Sequence, residues 1–278
     1  MKDQKLPEFI IIGAMKAGTT SLHHILDSHS EIEMTKNKEP NYYILEDYPN
    51  SLDKYISQFG INSYIKGEAS PNYAKVHLFP KIPQRIKSSA PKTKLIYIIR
   101  DPIERAISHI HHDLLRDRLK NKNISKNIRS NSDYIMTSSY HWQLSKFLTY
   151  FKKEEILIVT LEDLQENSLK IISEICSFLN CRNSMIVNNK DKFYSSESRY
   201  LIKFHDSFHK LIKNRKIRKL YHLIFYLVNV KIPKPTLSSE DLDYMLASLS
   251  NDVSELEKFT GKTFPNWNTY NQLSKLSV

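Results

Sequence analysis

Two cysteines and five glycines among 278 residues exclude a disulfide-stapled scaffold and every glycine-repeat architecture. Cys176 and Cys181 fall on or just beyond one expected helix. Nothing near them in sequence has metal-ligand spacing, so they are expected to be reduced thiols, and no metal is expected in the protein. Long hydrophobic runs are also missing. Leu220 to Val230 is interrupted by His222 and Asn229 and falls well short of the roughly 20 apolar residues that a spanning helix needs. The run from Phe9 to Met15 is short, follows an acid and lacks a small-residue cleavage pattern, so it reads as a strand rather than a secretory signal. A soluble, intracellular protein is expected. With 40% hydrophobic and 26% charged residues, the chain is an ordinary globular one, long enough for a full core in one domain over 1–278.

Acidic residues are in deficit, 30 against 41 Lys and Arg, for a net charge of +11. That excess favours an anionic partner without choosing among nucleotide, nucleic acid, acidic glycan and membrane surface.

Phe9-Ile-Ile-Ile-Gly13, Lys94-Leu-Ile-Tyr-Ile-Ile99 and Ile156-Leu-Ile-Val159 are continuous β-branched runs of the kind buried on both faces of a parallel sheet. They alternate with amphipathic segments, as from Tyr140 to Phe151 before the third run, and another helix is expected from near Leu164 to Leu179. The expected fold is therefore α/β, with a central parallel sheet and helices on both faces. Asp101, Pro102 and Glu104 mark a helix start as cap, first residue and capping-box acid. Residues 116–132 are polar and basic and read as a loop or insertion. The region 200–235 reads as a basic helical segment, since Lys203 to Lys219 carries seven basic residues against the single acid Asp206. A last helix is expected over Ser239 to Phe259.

Two motifs carry chemistry. Gly13-Ala-Met-Lys16-Ala-Gly18-Thr19-Thr20-Ser21 lies between a buried strand and a helix, where backbone N–H groups and the helix N-terminus together cradle an oxyanion. It is not the nucleoside-triphosphatase loop, because Lys16 precedes the second glycine and Thr19 stands where that lysine would be. The second motif, Arg100-Asp-Pro-Ile-Glu-Arg-Ala-Ile-Ser108-His109, begins where a strand ends, on the sheet edge at which open α/β folds bind ligands. Taken alone, Arg100 and Ser108 fit a salt bridge and a solvated hydroxyl equally well.

Together these motifs resemble the paired signatures of sulfotransferases that use 3′-phosphoadenosine 5′-phosphosulfate (PAPS). The resemblance extends to Lys38-Glu39-Pro40-Asn41-Tyr42-Tyr43, Gly67-Glu68-Ala69-Ser70-Pro71, Ile156 to Leu164 and Gly261 to Trp267. It is nearest to the carbohydrate branch that holds the heparan sulfate enzymes and many bacterial ones. It implies a P-loop-like three-layer fold and transfer of the sulfuryl group to a hydroxyl, less often an amine, of a saccharide or glycolipid. With no membrane anchor in view, a bacterial, cytoplasmic setting is expected rather than that of the Golgi enzymes. Lys16, Ala17, Gly18, Thr19, Thr20 and Ser21 would hold the 5′-phosphosulfate, with Lys16 stabilising the leaving group. Arg100 and Ser108 would hold the 3′-phosphate, and Glu39 would be the general base, with Lys38 beside it as a helper or a bystander. In a late loop, Tyr194 would stack on adenine with Arg199 assisting. PAP (adenosine 3′,5′-bisphosphate) would be the product. Asn41 and Ala69 stand where that branch often carries histidine and lysine, which puts a heparan-type acceptor in question.

The alternative is a nucleotide or small-molecule kinase, which the displaced lysine and the second anion motif disfavour. A nucleic-acid-binding module is weaker still, because the aromatics form no stacking platform. His109, His111 and His112 read as a solvated helix face rather than metal ligands. Residues 203–230 read as a packed helix with a basic rim, as a peripheral membrane contact, or as a binding surface for an acidic glycan.

Overall fold

The computed structural model describes residues 6–60, 65–116, 118–119, 123–182 and 233–276. Five strands form one sheet: β1 (Phe9–Gly13), β2 (Ile32–Met34), β3 (Ile65–Ala69), β4 (Lys94–Ile99) and β5 (Ile156–Thr160). The helices are α1 (Thr19–Asp27), α2 (Leu52–Ile56), α3 (Ile82–Ser89), α4 (Pro102–Leu115), α5 (Ile124–Ser130), α6 (Asp133–Met136), α7 (Tyr140–Phe147), α8 (Leu161–Glu166), α9 (Ser168–Leu179), α10 (Ser239–Thr260) and α11 (Asn268–Leu276). All strand pairs are parallel and their order is β2-β3-β1-β4-β5.

Side chains alternate across the sheet, and both faces are covered, which is why the strands read as unbroken apolar runs. Ile10, Ile12, Leu95, Tyr97 and Ile99 pack with Ile86 of α3, Phe147 of α7 and Leu256 of α10. Phe9, Ile11, Ile96 and Ile98 pack on the opposite face with Leu22 and Leu26 of α1 and Ile172 and Ile175 of α9. From β1 the chain runs to the edge strand β2, returns to β3 between β2 and β1, then crosses to place β4 and β5 on the other side of β1. A crevice opens where that order reverses, at the carboxyl ends of β1 and β4.

α4 starts behind the Asp101 cap as expected, but Glu104 does not close a capping box, because the Asp101 N–H donates to Glu162 Oε1 at 2.9 Å. One oxygen of Asp101, Oδ1, accepts the N–H groups of Ile103 and Glu104 at 3.0 and 3.1 Å. The other, Oδ2, accepts those of Thr269 and Tyr270 at 2.8 and 3.1 Å, so one carboxylate caps both α4 and α11.

Three local expectations are corrected. Residues 124–130, expected as loop, form α5, because Asn123 caps it through the Lys126 amide and Ile128 is buried against Ile110 and Tyr134. The helix expected from Leu164 to Leu179 is two helices. Thr160 caps α8 through the Asp163 amide, and Asn167 breaks the run and caps α9 through the Lys170 amide. His109 and His111 are buried rather than solvated. Burial, then Arg105 and Lys75, brings the His109 imidazole down to about 2, so it is neutral. Residues 203–230, with their packing and membrane readings, lie outside the described residues. Among the described residues no helix is long and apolar enough to cross a membrane.

Candidate functional site

β1 delivers its last residue into a tight turn. Ala14 donates to the Ile98 carbonyl of β4 at 2.6 Å, Ala17 donates to Ala14 at 3.1 Å, and α1 begins at Thr19. Lys16 and Gly18 both have positive φ, 71° and 93°. No side chain at Gly18 caps α1, and a helix N-terminus, whose first-turn N–H groups lie before any i−4 carbonyl of the helix, suits an oxyanion. A Cβ on Gly18 would stand 2.6 Å from Leu161 Cδ1 in a left-handed conformation. Gly18→Ala is expected to cost about 1–2 kcal/mol from the conformation alone, read as a lowered urea midpoint. A midpoint equal to wild type would contradict the left-handed turn.

A cavity of about 720 Å³ lies over this turn. Lys16, Gly18, Thr19, Thr20 and Ser21 line it from β1 and α1, Glu39 from the segment after β2, and Arg100 and Ser108 from β4 and α4. Two motifs more than 80 residues apart thus share one space, and the Arg100 guanidinium reaches the Lys16 carbonyl at 3.4 Å. Ala17 is the exception, since its methyl is buried in the core and only its backbone is on offer. Ser108 is buried and lines the cavity, so it is not a solvated hydroxyl. Arg100 does make the salt bridge, to Glu104 at 3.4 Å, while still facing the cavity. Tyr194 and Arg199 lie outside the described residues.

Glu39 pairs directly with Lys38, and both line the cavity. Glu39 and Asn41 have φ of 64° and 53°, a left-handed conformation that non-glycine residues adopt rarely and at a cost. The Asn41 side chain donates to the Glu39 carbonyl at 2.9 Å, and its own amide donates to Ser70 Oγ at 3.1 Å. Asn41 therefore shapes the turn that presents Glu39. Ala69 is buried against the opposite face of the sheet, so its methyl contributes nothing to the cavity.

Several lining residues carried no signal in the sequence. Lys75 is buried and bonded to Asp133 at 2.8 Å. Burial pulls its ammonium down, against the opposing pull of Asp133. His112, Arg116, Arg118 and Lys234 also line the cavity, so that seven Lys and Arg face it against Glu39 and Asp113. Arg105, fully buried, holds the anion turn from beneath by donating to the Met15 carbonyl at 3.3 Å, to Ser138 Oγ and to the Tyr134 carbonyl at 2.6 Å each. The arrangement suits a ligand with more than one anionic group, lying beside the Glu39 carboxylate.

The two cysteines gain a neighbour that spacing in sequence did not reveal. His29, Cys176 and Cys181 bring potential ligand atoms within 4.8 Å of one another. The His29 ring accepts the Glu31 N–H at Nδ1 (3.1 Å) and reaches the Arg182 carbonyl from Nε2 (2.9 Å). That pattern fixes the proton on Nε2 and leaves no lone pair there for a metal, so the cluster ties the α1–β2 turn to the end of α9. Both thiols are free, and burial pushes Cys176 up to about 12.

Comparison with known proteins gives the following. The model of the sulfotransferase domain family matches residues 6–220. The chain is 28% identical over 228 residues to heparan sulfate glucosamine 3-O-sulfotransferase 5 of Mus musculus, covering 77% of this chain and 65% of that one. It is 35% identical over 114 residues to membrane-associated sulfotransferase kil1 of Dictyostelium discoideum, covering 39% and 23%. The match thus spans less than two thirds of either relative. Among solved structures, a sulfotransferase from Alicyclobacillus acidocaldarius superposes with a TM-score of 0.69 at 19% identity over 95% of this chain and 99% of that one. Mouse sulfotransferase SULT7A1 complexed with PAP gives 0.51 at 12% identity over 98% and 88%. These likenesses show a shared fold, that of a central parallel sheet between helical layers.

Proposed function

Because the chain belongs to the sulfotransferase domain family, we propose that it moves the sulfuryl group of PAPS to a hydroxyl, less often an amine, of a saccharide or glycolipid. The observation that carries this reading is the single cavity joining the Lys16 to Ser21 turn with Arg100 and Ser108. One nucleotide with phosphates at both ends of its ribose would satisfy the two motifs together. The 5′-phosphosulfate is assigned to the turn and the first-turn amides of α1, and the 3′-phosphate to Arg100 and Ser108. The saccharide acceptor draws its support from the heparan sulfate enzyme among the relatives.

In this reading the acceptor oxygen attacks sulfur in line with the departing phosphate oxygen. The new O–S bond forms as the old S–O bond breaks. The hydroxyl proton passes to Glu39, and charge gathering on the departing PAP oxygen meets Lys16 and the turn amides. Positioning and charge stabilisation do the catalytic work, as in phosphoryl transfer. A sulfuryl group carries less charge than a phosphoryl group, and the seven cationic side chains around the cavity are proposed to suffice without a metal, so a chelator should leave the rate unchanged.

The test is calorimetry with PAP and ATP side by side, followed by labelled PAPS with extracts of glycans, lipids and small metabolites. PAP uptake and sulfate label in a saccharide are expected, with ATP ineffective. A well-folded chain that takes up no PAP would end the reading.

A further inference from the structure

β3 carries an acid where a core residue belongs. Glu68 pairs in register with Ile10, and it is fully buried. Tyr43, Tyr55 and Tyr73 pack with Ile10 on that side of the sheet. The hydroxyls of Tyr55, Tyr73 and Ser70 interact with its carboxyl, yet neither carboxyl oxygen makes a hydrogen bond of ordinary geometry, and neither does the Tyr55 hydroxyl. An unsatisfied buried carboxyl is costly, and the reaction assigned above does not use it.

Its neighbours show what it could hold. Ser70 Oγ accepts the Asn41 N–H at 3.1 Å, and the Tyr73 hydroxyl oxygen accepts the Tyr43 N–H at 3.2 Å. The first amide belongs to the left-handed turn that presents Glu39, and the second lies two residues past it. A hydroxyl that accepts from an amide has its own proton left to donate, and both hydroxyls face Glu68. We propose that Glu68 is a positioning residue for the candidate base: its carboxylate draws the Ser70 and Tyr73 protons and so turns their lone pairs to the amides of Asn41 and Tyr43. The proposal rests on the reading of Glu39 given above.

Burial raises the Glu68 carboxyl to about 7, against the hydroxyls that favour its ionised form. The titratable groups turned to it are Tyr43, Tyr55 and Tyr73, from the segments around β3 and from α2. Burial pushes all three phenols upward, so they stay neutral near pH 7. Above that pH the carboxylate orders both hydroxyls. Below it, the carboxyl proton competes for the same lone pairs and the turn loosens. Folding responds with the opposite sign. The folded chain holds this proton more tightly than the unfolded one, so stability is complete below pH 4.5 and falls as pH rises through about 7.

The experiment follows kcat, the KM for PAPS and the thermal midpoint of wild type and Glu68→Gln from pH 5.5 to 8.5, with hydrogen exchange of the Asn41 and Tyr43 amides. Wild-type kcat should step upward near pH 7. Glu68→Gln should lack the step, turn over about ten- to a hundredfold more slowly at pH 8 and keep the KM for PAPS, since small misplacements cost that much. It should also exchange both amides faster and lose the midpoint's decline with pH. Should Glu68→Gln not fold, Tyr73→Phe, which removes one of the two intermediary hydroxyls, should give a partial loss of the same sign. Superimposable pH profiles with unchanged amide exchange would overturn the proposal. A wild-type chain inert toward every acceptor would instead overturn the role of Glu39 and this proposal with it; the exchange rates, read without substrate, would still separate that failure from one in which Glu68 does not hold the turn.

Discussion

Glu39→Gln is expected to bind PAP as wild type does and to lose 10²- to 10⁴-fold in kcat, the range that general-base assistance supplies. Glutamine keeps the volume of glutamate and can still accept from Lys38, whose ammonium pairs with Glu39. The backbone turn is held by the Asn41 side chain on the Glu39 carbonyl, a bond that does not involve the replaced group. Only the capacity to take a proton is removed. PAP affinity should therefore be intact, because the donor is assigned to other lining residues of the cavity, those of the Lys16 turn and of Arg100 and Ser108. Single-turnover rates with labelled PAPS, alongside calorimetry with PAP, separate the two effects. A variant with near-wild-type kcat would remove Glu39 from its assigned role, and one with lost PAP affinity would move it to the donor side.

Lys16→Met is expected to lower kcat by 10²- to 10³-fold with a smaller effect on PAP affinity. That is the typical loss when one preorganised group aimed at developing charge is removed. Methionine keeps most of the stem. The turn also has supports besides the ammonium, namely Arg105 on the Met15 carbonyl and Arg100 on the Lys16 carbonyl. Lys16 has positive φ, and methionine inherits that conformation at equal cost, so the substitution isolates the charge. The split between kcat and KM decides the matter: a change confined to KM would make Lys16 a docking cation rather than a stabiliser of the departing group.

The parts of this site that were legible in the sequence are those written in consecutive residues. A strand, a glycine turn and a helix start announce themselves locally, and so do Asp101 and Pro102 at the head of α4. Glu39 was found only through resemblance, since nothing in the spacing of Lys38 to Tyr43 marks a base. Lys75, Arg116 and Arg118 reach the cavity through tertiary contacts that no periodicity encodes. The same holds for His29, which meets Cys176 across 147 positions. α5 was missed because its polar sequence hides a single buried face at Ile128, whose partners lie on α4 and α6. The histidines of α4 misled for the same reason: His109, for one, is covered by the Tyr134 ring and lies 3.8 Å from Asp133, both on α6 and outside its own helix.

Asp101 joins two segments that sequence sets 168 positions apart. With a single acceptor group shared between two helix starts, neither start can come undone without stripping the other's anchor of its geometry. Loosening of α11 would therefore be felt at the neighbouring guanidinium of Arg100, and a nucleotide gripping Arg100 would in return quieten a helix it never touches.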